Sequence, residues 1–304
     1  MPPTMSTADI RAGDALDLLT TREVILAVGG PNTGKSYSVA KLVQDGQTQG
    51  FNVVVIDRDR GLAKAIKEVC GTLPENLEYF LATTWARVDD GVRYAFGTLG
   101  PGDWLVFEML NSLWDFAQTE YSRRVYGSLT EHQMALRADA QQLINSQGLD
   151  LRSDNKGKRQ EAQAVVSRKM AYSGMEGRTD WSVIKRMHND DVIYKAIIEG
   201  SFNILSTTSL SSISDDEKVD PKWEIFGKSS VRPDGEKSIT HRHDTIILLT
   251  RRAKDGRYFW RTKQVGGAGK DRGGRPLFQD IDHTDVGLVA SYLQTIEESR
   301  KGEA

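Results

Sequence analysis

The sequence predicts an α/β fold with a mostly parallel central sheet, helices on both faces and a late antiparallel hairpin. Three observations predict it. Short apolar runs rich in β-branched residues recur along the chain, as strands buried on both faces do. Stretches with helical spacing separate those runs, as in parallel β-α units. A glycine-rich loop, residues 29–36, joins the first run to the first helix.

The elements follow in order. Residues 1–20 read as a flexible arm. Glu23–Val28 (EVILAV) is the first buried strand, and a helix runs from Lys35 to about Gln44. FNVVVID (51–57) is the second strand, and Gly61–Cys70 is helical, with Leu62, Ile66, Val69 and Cys70 in register. Leu77–Leu81 reads as a strand. Thr84 caps a helix whose inner face is Trp85, Val88, Val92 and Phe96. WLVFEML (104–110) is another buried strand. Residues 118–179 form a helical, charged insertion that includes a helix over Leu129–Ser146 and a loose stretch over 152–160.

Asp180 is expected to cap an amphipathic helix that stops at Gly200, and FNILST (202–207) is the next strand. Residues 209–242 are a long polar loop. TIILLTRR (245–252) and RYFWRT (257–262) flank an Asp255-Gly256 turn, a hairpin signal. The last helix is expected over 284–298, followed by a tail, 299–304. The expected organisation is one domain over 21–298.

Bulk properties narrow the class. The chain has 304 residues, enough for a sizeable core. Charged residues make up 27% and the net charge is −2, so any grip on nucleic acid must come from a local patch. No apolar stretch approaches the ~20 residues of a membrane span, and the amino end lacks a secretory pattern. The single cysteine, Cys70, excludes an internal disulfide framework and a Cys-based zinc cluster. The expectation is a cytoplasmic protein without a membrane partner (host cytoplasm if viral).

Gly29, Gly30, Pro31, Asn32, Thr33, Gly34, Lys35 and Ser36 fit the pattern G-x-x-x-x-G-K-[ST]. At Gly29 and Gly34, backbone amides must converge on phosphate oxygens without side chains in the way. The following helix aims its positive end at the same anion. Lys35 is placed to reach the β- and γ-phosphates, Ser36 to ligate Mg²⁺, and Tyr37 to flank the nucleotide. No guanine-reading N/T-K-x-D element occurs, which favours ATP.

Such a site normally needs an acid at the end of a buried strand to hold Mg²⁺. Glu108 lies inside an otherwise apolar run, where a carboxylate is costly unless partnered. Glu is one methylene longer than the usual Asp, so its reach is an open question. Asp57 and Asp59 end the second strand and point the same way. Asp59 is the first candidate to orient an attacking water, with Asp57 the runner-up.

With these residues in place the chain resembles RecA-type P-loop ATPases, in particular compact phage-encoded AAA-type or single-strand-annealing members. GGPNTGKS, WLVFEMLNSLW with DWSVIKRMHND, and the late hairpin followed by Lys270-Asp271-Arg272-Gly273 carry the resemblance, over about residues 22–280. It implies ATP hydrolysis with Mg²⁺, a homo-oligomeric ring or filament, and single-stranded DNA as partner in recombination, annealing or replication. It implies that Lys270 and Arg272 reach a neighbouring subunit's γ-phosphate. It also implies that the loops after the Glu108 strand and after FNILST touch DNA. The first holds Arg123, Arg124, Arg152, Lys156, Lys158, Arg159, Arg168 and Lys169, interleaved with Tyr121, Tyr126 and Tyr172. The second holds Lys218, Lys222, Trp223, Phe226, Lys228 and Arg232 among nearly as many acids. His241 and His243 lack a third metal ligand and read as ordinary histidines. Alternatives are a DNA-packaging motor subunit, a P-loop small-molecule kinase and a nucleotide-gated scaffold with little turnover.

Overall fold

The computed structural model describes residues 22–58, 60–127, 129–170, 177–213, 231–236, 238–262 and 278–301. The chain divides into two compact units. One is built from Met1–Leu113 and Ile193–Ala304, the other from Trp114–Val192.

The first unit is organised by an eight-stranded sheet. Its strands are β1 (Val24–Val28), β2 (Val53–Asp57), β3 (Leu77–Leu81), β4 (Trp104–Glu108), β5 (Asn203–Thr208), β8 (Thr245–Arg251), β9 (Tyr258–Arg261) and β10 (Ile281–Asp282). Two further strands, β6 (Leu210–Ser212) and β7 (Val231–Pro233), pair with each other as an antiparallel ribbon. The sheet order is β10-β9-β8-β1-β5-β4-β2-β3. The six strands from β8 to β3 are parallel, and β9 and β10 continue the sheet antiparallel. One strand, β5, therefore separates the strand before the glycine loop from the strand that ends in Glu108.

The inner strands β1, β2, β4 and β5 are buried at every residue, as expected where helices cover both faces. Alternate residues feed two layers of core. Ile25, Ala27, Val53, Val55, Trp104 and Val106 pack with Val39, Leu42 and Val43 of α1 (Lys35–Gln49) and Leu62 of α2 (Gly61–Cys70). Trp260 and Tyr292 join the same cluster, the latter from the last helix, α10 (Leu288–Lys301).

Most elements stand where patterning puts them, and the differences have local causes. α1 runs to Gln49, past Gln44, because Gly50 in the left-handed region ends it. In α3 (Trp85–Thr98) Thr84 caps as expected, but Ala95 completes the buried stripe and Phe96 is 38% exposed. The helix expected over 284–298 starts at Leu288 and continues to Lys301, so residues 299–301 are helical rather than tail. The long polar loop 209–242 contains the β6–β7 ribbon and a short helix, α9 (Ile239–Arg242). Two further helical stretches are α8 (Tyr194–Glu199), in the first unit, and α4 (Leu110–Tyr126), which begins there and continues into the second.

The second unit is helical among its described residues. It comprises α4 from Trp114 onward, α5 (Leu129–Ser146), α6 (Lys156–Met170), α7 (Gly177–Lys185) and the π-helical segment Arg186–Ile193 as far as Val192. α6 starts inside the stretch that reads as loose in sequence. Asn155 supplies its cap, accepting from the amides of Gly157 (2.9 Å) and Lys158 (3.3 Å). Asp180 lies within α7 rather than capping it, and accepts the Tyr121 hydroxyl at 2.6 Å. Among the described residues no helix is long and apolar enough to cross a membrane.

Candidate functional site

The glycine loop leaves the carboxyl end of β1 and enters α1. Its start is tied down by the Gly29 amide, which donates to the Thr208 carbonyl of β5 at 3.1 Å. Two glycines are required by geometry. A Cβ at Gly29 would lie 2.2 Å from the Thr33 hydroxyl and 3.1 Å from Leu249 Cβ. Gly34 has φ +91°, and a Cβ there would come within 2.9 Å of the Tyr258 ring. Asn32 also takes a left-handed conformation, φ 59°, which Asn tolerates better than most side chains.

Lys35 is only 9% exposed. Its ammonium folds back over the loop and donates to the carbonyls of Gly29 and Gly30, both at 2.7 Å. The cation thus stands where the first amides of α1, which have no intrahelical acceptor, also point. Positive charge is concentrated on the concave side of the loop.

Facing it is a buried carboxylate. Glu108 closes β4 and is 1% exposed. Ser36, the second residue of α1, donates its hydroxyl to Glu108 Oε1 at 2.7 Å, and Thr207 of β5 donates to Oε2. The extra methylene of Glu spans the distance to the helix. Burial raises the Glu108 carboxyl to about 7, against the hydrogen bonds from Thr207 and Ser36, which lower it; Asp57 adds to the rise. Asp57 is fully buried and is the registered neighbour of Glu108 across β2 and β4. Its Oδ2 accepts the Tyr79 hydroxyl at 2.5 Å.

Tyr37 lies one residue beyond Ser36. Its ring is 5.4 Å from that of Tyr258, and its hydroxyl donates to the Thr284 carbonyl at 3.0 Å. Tyr258 is thus packed both against Gly34 and beside Tyr37.

No protein-family model matches the chain, and no curated protein matches it in sequence. Among solved structures it is similar to one described as an ATPase domain, with TM-score 0.40 and 13% identity over 86% of this chain and 81% of that one. It is also similar to one titled "The Structure Of A DnaB-Like Replicative Helicase And Its Interactions With Primase", with TM-score 0.37 and 13% identity over 86% of this chain; the match spans 55% of that chain. The strand order, with β5 between β1 and β4, stands independently of both. The fold is α/β, with a mostly parallel eight-stranded sheet and an antiparallel edge.

The structure therefore brings Gly29–Ser36, Tyr37, Glu108 and Asp57 to one end of the sheet. Asp59, Lys270 and Arg272 lie outside the described residues. Three contributors escaped sequence reading. Thr207 was visible only as a polar ending on an apolar strand, Tyr79 only as part of a strand, and nothing local pointed from Tyr258 to the glycine loop. A hydroxyl and a carboxylate 2.7 Å apart are hard oxygen donors, the kind Mg²⁺ takes one or two of while keeping water.

Two expectations about nucleic-acid contacts change. Arg123 and Arg124 both bind Glu120, at 2.8 and 2.7 Å, and with Arg123 foremost they hold its carboxyl down at about 2. Tyr121 is buried with its hydroxyl on Asp180, so its ring offers no face to a base. Lys156, Lys158, Arg159 and Arg168 are exposed on α6, and Arg152 is exposed just before it. Tyr172 and residues 214–230 are outside the described set, as is the Tyr126 side chain. Arg232 is partly buried on β7, with a bond to the Pro233 carbonyl. His243 is buried and both its ring nitrogens are engaged, Nδ1 with the Ile239 carbonyl and Nε2 with Ser206 Oγ, each at 2.8 Å.

Proposed function

We propose that this chain is an ATPase that couples nucleotide hydrolysis to action on single-stranded DNA. The observation that carries it is the Ser36 hydroxyl on Glu108 Oε1 at the end of β4, beside a Lys35 ammonium folded over the glycine loop. A glycine loop alone binds phosphate; a loop facing two buried acids is arranged for hydrolysis.

In this reading Lys35 exchanges its bonds to the loop carbonyls for bonds to the β- and γ-phosphates. Gly29–Ser36 wrap the phosphates with backbone amides, and Tyr37 borders the site. Ser36 and Glu108 hold Mg²⁺, which supplies charge neutralisation on the phosphates when bound. Asp57 orients the attacking water: it is registered beside Glu108 and fixed by Tyr79. Asp59 is the adjacent alternative. Water attacks the γ-phosphorus, the bond to the β-γ bridging oxygen breaks, and ADP departs with the electron pair. The water proton passes to the carboxylate and then to solvent or phosphate. Lys270 and Arg272 are proposed to act across a homo-oligomer interface, where a cation neutralises developing charge.

The test is ATP turnover by the full chain with and without a single-stranded oligonucleotide. Marked stimulation supports the reading. Binding of ATP without hydrolysis under any condition overturns the enzymatic part, and turnover indifferent to DNA overturns the coupling.

A further inference from the structure

The helical unit carries an aromatic stack that the nucleotide site does not use. Trp181 of α7 lies on Trp114 of α4, with ring centroids 6.1 Å apart and planes 23° from parallel. Trp114 is held from another side by His188, edge-on at 5.2 Å and 88°. His188 is itself buried in the π-helical segment, with Nδ1 2.6 Å from Asn189 Oδ1. The residue before Trp181 is fixed as well, because Asp180 accepts the Tyr121 hydroxyl. The inner ring is locked in place, and the outer ring is 38% exposed.

The Trp181 indole is thus open to solvent on part of its surface. Here the exposed ring is backed on one side by the Trp114 ring. Lys185 follows four residues later, which places it on the same helix face, and it is exposed, as is the adjacent Arg186. An aromatic face with a cation one turn along matches one nucleotide of an unpaired strand. The base covers the ring, and its phosphate approaches the cation. Bases within a duplex are already stacked on both sides and present no free face, so the chemistry selects single strands.

We propose that the Trp114–Trp181 stack, with Lys185 a turn beyond, is a base-stacking step for single-stranded nucleic acid. This deepens the DNA-coupled reading above and rests on it. It also supplies the aromatic contact that buried Tyr121 cannot.

The experiment measures binding of a fluorescein-labelled oligo-dT to the full chain by anisotropy, at low and moderate salt. Trp181→Ala is expected to weaken binding about 5- to 160-fold. Trp181→Phe should retain most of the affinity. ATP binding should be unchanged in both variants, which also reports folding. Lys185→Ala should flatten the salt dependence by about 0.7 in log-log slope. Saturating oligo-dT should quench tryptophan emission in the unmodified chain and much less in Trp181→Phe, a readout that holds even if the Ala variant misfolds. Unmodified protein that binds oligo-dT while Trp181→Ala and Trp181→Phe behave identically to it overturns the stacking step and leaves the DNA reading standing. Failure of the unmodified protein to bind oligo-dT at low salt overturns both. Preference for duplex over oligo-dT overturns the stacking step alone.

Discussion

The Ser36 hydroxyl donates to Glu108 Oε1 across 2.7 Å, linking the first turn of the helix after the glycine loop to the end of β4. That bond occupies the oxygens to which a magnesium ion would bind. The chain's own hydroxyls thus satisfy the buried carboxylate, with Thr207 taking the second oxygen.

A pH signature follows for the magnesium-free protein. The Glu108 carboxyl is raised from 4.5 to about 7. Below pH 4.5 both folded and unfolded chains are protonated and nothing is lost. As pH rises through 7 the unfolded chain releases its proton more readily, and stability falls by about 3 kcal/mol at most. Glu108→Gln should remove this fall while abolishing magnesium-dependent turnover. The difference in urea midpoint between parent and Gln variant, in EDTA at pH 5 and at pH 8, checks the first, and phosphate release checks the second. A Gln variant with the same pH profile as the parent would refute the assignment.

His283 acts in the opposite direction. It is fully buried, 6.2 Å from the Tyr258 ring, and burial lowers it from 6.5 to about 4. Its contribution is fully present above pH 6.5 and is lost as pH falls toward 4, again by about 3 kcal/mol. Between pH 4.5 and 6.5 the two residues oppose each other, so the parent should show a nearly flat profile there. Glu108→Gln should uncover a slope rising with pH, and His283→Leu a slope falling with pH. Denaturant midpoints across that interval read both.

Gly34→Ala tests the loop. The substitution forces a side chain into φ +91° and against Tyr258. A stability loss of about 1–2 kcal/mol is expected from the backbone conformation, together with loss of ATP binding by calorimetry. Adding Tyr258→Ala should relieve the contact but not the conformation, so the double variant should recover only part of the stability.

Tyr79→Phe isolates Asp57. The ring stays and only the hydroxyl that Asp57 accepts is removed. If that bond aims the carboxylate, kcat should drop about tenfold with KM for ATP unchanged, since orientation of one hydrogen-bonded base is worth roughly that much. Equal kcat would move the role to Asp59 or elsewhere.

Much of the fold was legible because its signals are local. A five-residue apolar run buried on both faces, such as VVVID, declares itself, and the Gly29–Ser36 spacing states its own chemistry. What was not legible depends on packing across the sheet. Glu108 was visible as an acid in an apolar run, but its reach to Ser36 depends on β5 separating β1 from β4. Tyr258 meets Gly34 only because β8 pairs with β1 and the hairpin returns beside the loop. Tyr121 read as a stacking residue among cations, because sequence spacing does not reveal that its hydroxyl is taken by Asp180, fifty-nine residues away. The start of α6 was hidden because its cap, Asn155, sits in a run of charged residues that looks like a loop.

The cations of the helical unit separate into two groups by their partners, and the difference is measurable. Arg123 and Arg124 share Glu120, so one of their two charges is compensated. Surface pairs of this kind contribute little to stability, about 0–1 kcal/mol, and a phosphate would have to displace Glu120 to use them. Lys156, Lys158 and Arg159 stand exposed in the first turn of α6, where the positive end of a helix disfavours them. Helix stability gives no reason for three cations there; contact with a polyanion does. Replacing those three with Ala should reduce the slope of log affinity against log salt for oligo-dT by about 2 and raise the helicity of α6 slightly. Replacing Arg123 and Arg124 should change that slope by no more than about 0.7. Equal effects from the two sets would show that Glu120 does not hold its partners back from DNA.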